Sequence, residues 1–135
     1  MAERFEDLRV WQTAREFTRR VYELSNEGSF ESDWALKKQI RRTAISVMSN
    51  VAEGFESRTR SLFIDHLGRA KASAGEVRSQ LYIAQDQGYV NGETFEEAYD
   101  LEEKISGQLY HRIRHLKEDT NSNRVRELPT EYLSR

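Results

Sequence analysis

Proline is missing from this chain until Pro129, and long stretches before it repeat their apolar residues at helical spacing. A chain with no helix breaker and a 3.6-residue apolar period has few options besides long amphipathic helices packed side by side. Val10, Ala14, Phe17, Val21 and Leu24 form one line, widened by Leu8, Trp11, Thr18 and Tyr22. This predicts a first helix over about 7–25, ended by Gly28 and its polar neighbours. A second helix starts at Ser32 or Asp33, either of which suits an N-cap, and runs to about Glu56. Its apolar arc is Leu36, Ile40, Ala44, Val47 and Val51.

Ser57–Ser61 reads as a turn, and a third helix follows over about 62–87, with Phe63, Leu67, Ala70, Ala74, Val77, Leu81 and Ala84 as its core line. Gly88 and Asn91-Gly92 make the next turn. Thr94-Phe95-Glu96-Glu97 has the form of a capping box, opening a fourth helix cored by Phe95, Ala98, Leu101, Ile105, Leu109, Ile113 and Leu116. From Asp119 the period stops. Short turns between long helices favour reversed neighbours. The expected architecture is therefore an all-α, antiparallel up-down-up-down four-helix bundle over residues 1–119, with a mobile tail over 120–135.

Length and composition narrow the class. One core is what 135 residues support, and 33% charged residues against 37% hydrophobic describe a well-solvated surface. No apolar run approaches the length that crosses a bilayer, and the first ten residues have no secretory apolar region. The absence of cysteine rules out disulfides, thiolate metal sites and cysteine nucleophiles. The expected compartment is the cytoplasm.

Two lines of residues stand out because they are poorly suited to open water. On the second helix, Gln39, Thr43, Ser46, Asn50 and Glu53 recur at +4, +3, +4, +3, and four of the five are polar but uncharged. Solvated faces normally carry Lys and Glu. The stripe therefore reads either as side chains pairing with another helix or chain, or as a half-exposed boundary of the core. On the third helix Gly68, Ala72, Gly75 and Ser79 form a line of small residues. Glycine inside a helix costs about 0.5–1 kcal/mol relative to alanine. That cost points to close approach by another helix, or else to a loosely packed segment.

The net charge of −2 is unevenly spread: residues 33–60 carry six basic and three acidic groups, residues 91–119 four basic and eight acidic. Lys38, Arg41 and Arg42 lie away from the apolar arc, with Arg58 and Arg60 in the following turn. Tyr110, Arg112, Arg114, His115 and Lys117 supply a second basic end. These are the candidate nucleic-acid contacts. Against them, the whole chain is acidic, so long-range attraction to phosphate is weak.

No chemistry competes strongly. The residues three before His66, His111 and His115 are Phe63, Gln108 and Arg112, which excludes the Glu-x-x-His pairs of di-iron bundles. His111 and His115 share a face with Glu118, but neighbouring Arg112, Arg114 and Lys117 oppose a cation there. No glycine-rich loop joins a strand to a helix, and no spacing singles out a nucleophile. Neither catalytic residue, metal nor cofactor is expected.

Several motifs in order carry a resemblance. They are Phe5-Glu6-Asp7-Leu8-x-Val10-Trp11, Gln39-Ile40-Arg41-Arg42, and Ser46 through Asn50-Val51-Ala52-Glu53-Gly54-Phe55. Ala70-x-x-Ser73-x-x-Glu76, Gln80-Leu81 and Gly88-Tyr89-Val90 follow. Over roughly 5–117 the chain resembles the 23S ribosomal-RNA intervening-sequence proteins, a family also called four-helix bundle proteins. It departs at Phe30-Glu31, where the family often has Phe-Pro, and at Met48, where it often has proline. The resemblance implies a homo-oligomer, a pentameric ring above all. It also implies a link to ribosomal-RNA intervening sequences or, in related accessory proteins of diversity-generating retroelements, to a reverse transcriptase and to RNA or DNA. No catalytic activity comes with it. Gln39, Ser46, Asn50, Glu53, Gly54, Ser73 and Glu76 are the candidates in its motifs, and Gly68 and Gly75 of the small-residue line join them as interface candidates. Two function classes stay open: a nucleic-acid or ribonucleoprotein accessory factor, and a protein–protein scaffold without nucleic-acid contact.

Overall fold

A computed structural model describes residues 2–122, with side chains to 119. A 3₁₀ turn, Phe5–Asp7, leads into α1 (Arg9–Leu24), and a second 3₁₀ segment, Gly28–Ser32, leads into α2 (Trp34–Glu56). Then come α3 (Arg60–Asp86) and α4 (Gly92–Ser122), with no strand among the described residues. The tail expected from 120 begins inside α4, and residues 123–135 lie outside the described residues.

The helix ends follow local chemistry. Asp33 caps α2, its Oδ1 accepting from the Leu36 amide at 3.0 Å, while Tyr89 donates its hydroxyl to Oδ2 at 2.8 Å. Both bonds favour the ionised carboxyl, the Leu36 amide more than Tyr89, and hold it below the usual carboxylate range. Thr59 caps α3 through the Leu62 amide, after a turn in which Arg58 takes φ +72°. The capping box expected at Thr94 is displaced. Asn91 Oδ1 accepts from the Thr94 amide at 2.8 Å, so α4 begins at Gly92 and Thr94 lies in its first turn. A short amide one residue after Val90 reaches the orphan donors sooner than Thr94 does.

The expected core lines of α1, α2 and α3 are buried throughout, with Phe17, Phe30, Phe63, Ile40, Leu67 and Leu81 among the largest enclosed side chains. In α4 the inward line loses two expected residues and gains one. Leu101 and Ile113 are half-buried, while Glu102 joins Ala98, Ile105, Leu109 and Leu116 inside with 0% exposure. Glu102 sits at i+4 from Ala98 and i−3 from Ile105, so the helical period itself carries it inward. Tyr22, expected to widen the core face, is instead 41% exposed.

α2 packs between α1 and α3, and α4 between α3 and α1. As residue numbers rise along α2 those of their α3 partners fall: Thr43 meets Gln80, Ser46 meets Ser73, Asn50 meets His66. No helix among the described residues is long and apolar enough to cross a membrane.

Candidate nucleic-acid interface

The basic face of α2 divides into two lines with different states. Lys37 and Arg41, four residues apart, are committed within the chain. Lys37 Nζ lies 3.4 Å from Glu31 Oε2. Arg41 donates from Nε to Ser25 Oγ at 2.8 Å and from Nη2 to the Tyr22 carbonyl at 3.3 Å, and its guanidinium sits 4.4 Å from the Tyr22 ring centre. Arg41 was expected on the solvent side of the helix. It is half-buried because α1 stands close enough for a long guanidinium to bridge to it.

The other line is Trp34, Lys38, Arg42 and Ile45, at i, i+4, i+8 and i+11, all exposed. Neither Lys38 nor Arg42 has a hydrogen-bond or ion-pair partner among the described residues. Trp34 is 75% exposed, the largest exposed aromatic surface described. With Tyr22, Lys37 and Arg41 these four line an open groove of about 430 Å³ between α1 and α2, and no carboxylate lines it. The periodicity locates the cations. Trp34 and Tyr22 escaped it, because an aromatic at a helix end or on a core-adjacent line reads as packing.

The remaining basic candidates are not gathered here. Arg58 is exposed in the α2–α3 turn, beyond the end of α2. Arg42 and Glu56 are already separated by about 21 Å of helix axis at 1.5 Å per residue. Arg60, read as a turn cation, is the first residue of α3 and only 2% exposed, so it is withdrawn from the surface set. The helix starts two residues earlier than its apolar period suggests, because Thr59 caps it, and this turns Arg60 inward.

At the second basic end, Arg114 pairs with Glu118 at 3.2 Å, and His115 lies 3.6 Å from Asp119. Arg112 is half-buried, and burial holds its guanidinium below the usual range. It lines a second hollow with Arg9, Val10, Gln108, His111 and His115. Arg114 is thus matched by an acid on its own helix. Among the described residues no three His, Cys, Asp or Glu side chains gather as a metal site requires.

The uncharged stripe of α2 forms a polar seam with α3. Thr43 Oγ1 accepts from Gln80 Nε2 at 3.3 Å, and Gln80 also donates to Glu76 Oε2 at 3.4 Å. Ser46 and Ser73 share a hydroxyl contact of 3.0 Å, and Asn50 donates to the Ser46 carbonyl and Oγ at 3.0 and 3.2 Å. His66 Nδ1 then meets Asn50 Oδ1 at 3.1 Å, with Glu53 Oε1 at 3.9 Å. Gln39, at the open end of the stripe, and Glu53, at the other, are exposed.

Gly54 closes the seam. A Cβ there would lie 2.7 Å from His66 Cβ and 3.0 Å from Phe63 Cδ1, so the glycine permits α2 and α3 to converge at their corner. Gly68 and Gly75 are different. A Cβ at either would meet nothing within 4 Å among the described residues.

Comparison with known proteins agrees with this layout. Among curated proteins none matches the chain. One solved structure, a protein of unknown function from the S23 ribosomal protein family of Bacteroides thetaiotaomicron, is 24% identical, with a TM-score of 0.72. The match covers 78% of this chain and 95% of that one, and at such identity it speaks for a shared fold. The model of the 23S rRNA-intervening sequence proteins matches residues 6–111, which span the groove and the whole polar seam. The chain belongs to the 23S rRNA-intervening sequence protein family.

Proposed function

We propose that this chain is a non-catalytic accessory factor that holds nucleic acid, RNA or DNA, or a ribonucleoprotein on the Trp34–Arg42 face. It acts in the cytoplasm as an antiparallel bundle assembled into a homo-oligomeric ring, with five members favoured. The observation that carries the reading is the pair of partnerless cations, Lys38 and Arg42, beside an exposed indole in a groove without carboxylates. Arg69, by contrast, is matched by Asp65 at 2.8 Å. Two cations left side by side make a local phosphate site despite the net charge of −2. Repetition around a ring multiplies that site without changing each copy's weak long-range field. The opposed numbering of the α2–α3 contacts supports the up-down order.

The experiment is a titration of assembled protein with mixed RNA and DNA at about 50 mM salt, repeated as salt is raised. Binding that is modest, indifferent to base sequence and steeply salt-dependent is expected, because phosphate contacts release counterions. Lys38→Gln with Arg42→Gln weakens it and flattens the salt slope, by about one for every phosphate that no longer meets a cation. A second reading, a protein–protein scaffold, draws on the open line of Gly68, Ala72, Gly75 and Ser79. It stands alone if assembled protein shows no binding at low salt.

A further inference from the structure

We infer that the indole of Trp34 is a stacking platform for an unpaired base, so that the ligand of this face is single-stranded rather than duplex nucleic acid. The inference rests on the nucleic-acid reading above and narrows it. Trp34 is the first residue of α2, and its side chain contributes nothing to the core. Three-quarters of it faces water at the mouth of the groove. An indole offers a large flat surface with few torsions to freeze, which is what a base plane needs as a partner. Helical spacing puts Lys38 one turn and Arg42 two turns further along the same line, in reach of the phosphates on one side of a stacked base. Across the groove the Tyr22 ring is already covered by the Arg41 guanidinium at 4.4 Å, and Ser25 and the Tyr22 carbonyl hold that guanidinium in place. That wall is set before any ligand arrives.

Duplex fits this surface poorly. Its base faces are covered by their neighbours, so the indole gains contact only after a base has been unstacked. A single strand presents those faces at no such cost. A second copy of the chain seated on Trp34 and Ile45 would have to bring acids to Lys38 and Arg42, since burying either cation unpaired is costly.

The chain has two tryptophans, and Trp11 lies against Phe5 at 5.2 Å between ring centres. In a Trp11→Phe background, Trp34 therefore reports alone by fluorescence. Full-length protein is titrated at low salt with a mixed-sequence single-stranded oligonucleotide and with the blunt duplex of the same sequence. The single strand is expected to quench the indole and to bind roughly tenfold more tightly than the duplex. In the Trp11-containing chain, Trp34→Ala weakens single-strand binding between about five- and a hundredfold, the range one base stack supplies, and leaves duplex binding little changed. Trp34→Phe keeps most of the affinity.

Equal binding of duplex and single strand, or a Trp34→Ala chain that binds the single strand unchanged, overturns the stacking inference and leaves the phosphate-contact reading standing. Binding of neither ligand overturns both. Light scattering accompanies each titration. A Trp34→Ala protein of lower assembled mass would assign the indole to contact between copies and overturn the inference.

Discussion

Replacing Gly54 by alanine sets two effects of known sign against each other, and the geometry decides between them. In a helix interior alanine is favoured over glycine by about 1 kcal/mol. At Gly54, however, the added methyl would sit 2.7 Å from His66 Cβ, about 0.7 Å inside the 3.4 Å at which ordinary contact begins. A Cβ is fixed to its backbone, so His66 cannot swing aside and α3 itself must retreat from α2. Phe63 Cδ1 at 3.0 Å and the Phe63 carbonyl at 3.4 Å block escape toward the other side. Overpacking of this kind costs typically 1–3 kcal/mol, and retreat would also lengthen the Asn50–His66 contact of 3.1 Å. Overpacking less the alanine preference, with up to about 1 kcal/mol of weakened Asn50–His66 bonding added, leaves a net loss of about 1–2 kcal/mol for Gly54→Ala. In a domain of this size that lowers Tm by about 4–8 °C. Urea unfolding followed by far-ultraviolet circular dichroism measures it, with an unchanged m-value showing that stability alone has moved. An alanine variant as stable as the parent, or more so, would refute the argument that Gly54 exists to let the two helices touch.

Gly75→Ala should do the opposite, stabilising an isolated chain by about 0.5–1 kcal/mol because the new methyl meets nothing within 4 Å. A fall in assembled mass in the same variant would mean that another subunit closes on this line. Assembly itself is read by light scattering at micromolar concentration, where a mass near the 15.9 kDa of one chain would sink the ring. Arg41→Gln is expected to lower stability by about 1 kcal/mol as the Ser25 and Tyr22 interactions disappear, whereas Arg42→Gln leaves it unchanged. Glu102 is fully enclosed, and burial outweighs the Ser106 hydroxyl at 2.6 Å and the Arg78 guanidinium at 3.8 Å in pushing its carboxyl above the usual range. The native state therefore holds that proton more tightly than the unfolded chain, and this group's contribution to stability falls as pH rises through the raised value. Glu102→Gln should be the more stable protein near pH 7, with the difference closing as pH falls toward about 4; a difference independent of pH would contradict the assignment.

The fold was legible because four apolar lines recur at one period without an interrupting proline, and a core line needs nothing but spacing to be recognised. Boundaries were less so, since they turn on which of several polar residues caps first. Asp33 is one of the two expected caps of α2, while Asn91 displaces Thr94 at α4 and Thr59 draws α3 forward over Arg60. Glu102 shows the limit of the reading from type: spacing places it inside, but its charge argued for water, and here spacing wins. The uncharged stripe of α2 was visible as an anomaly, and its partners on α3 emerge only when Thr43 is seen against Gln80 and Ser46 against Ser73.

The basic face illustrates why a site is harder to read than a core. Lys37, Lys38, Arg41 and Arg42 are equivalent in composition and adjacent in sequence, so charge alone cannot rank them. What separates them is what stands opposite. Glu31 approaches Lys37, and Ser25 and Tyr22 capture Arg41, while Lys38 and Arg42 line the same groove and meet no acid among the described residues. Each committed cation makes the neighbouring free one more significant. A guanidinium spent on Tyr22 builds one wall of the groove, and the lysine and arginine beside it keep all their donors for a ligand. The functional signal thus resides in a difference between residues of one type, and that difference is set by tertiary contact between α1 and α2 rather than by the sequence of α2 itself.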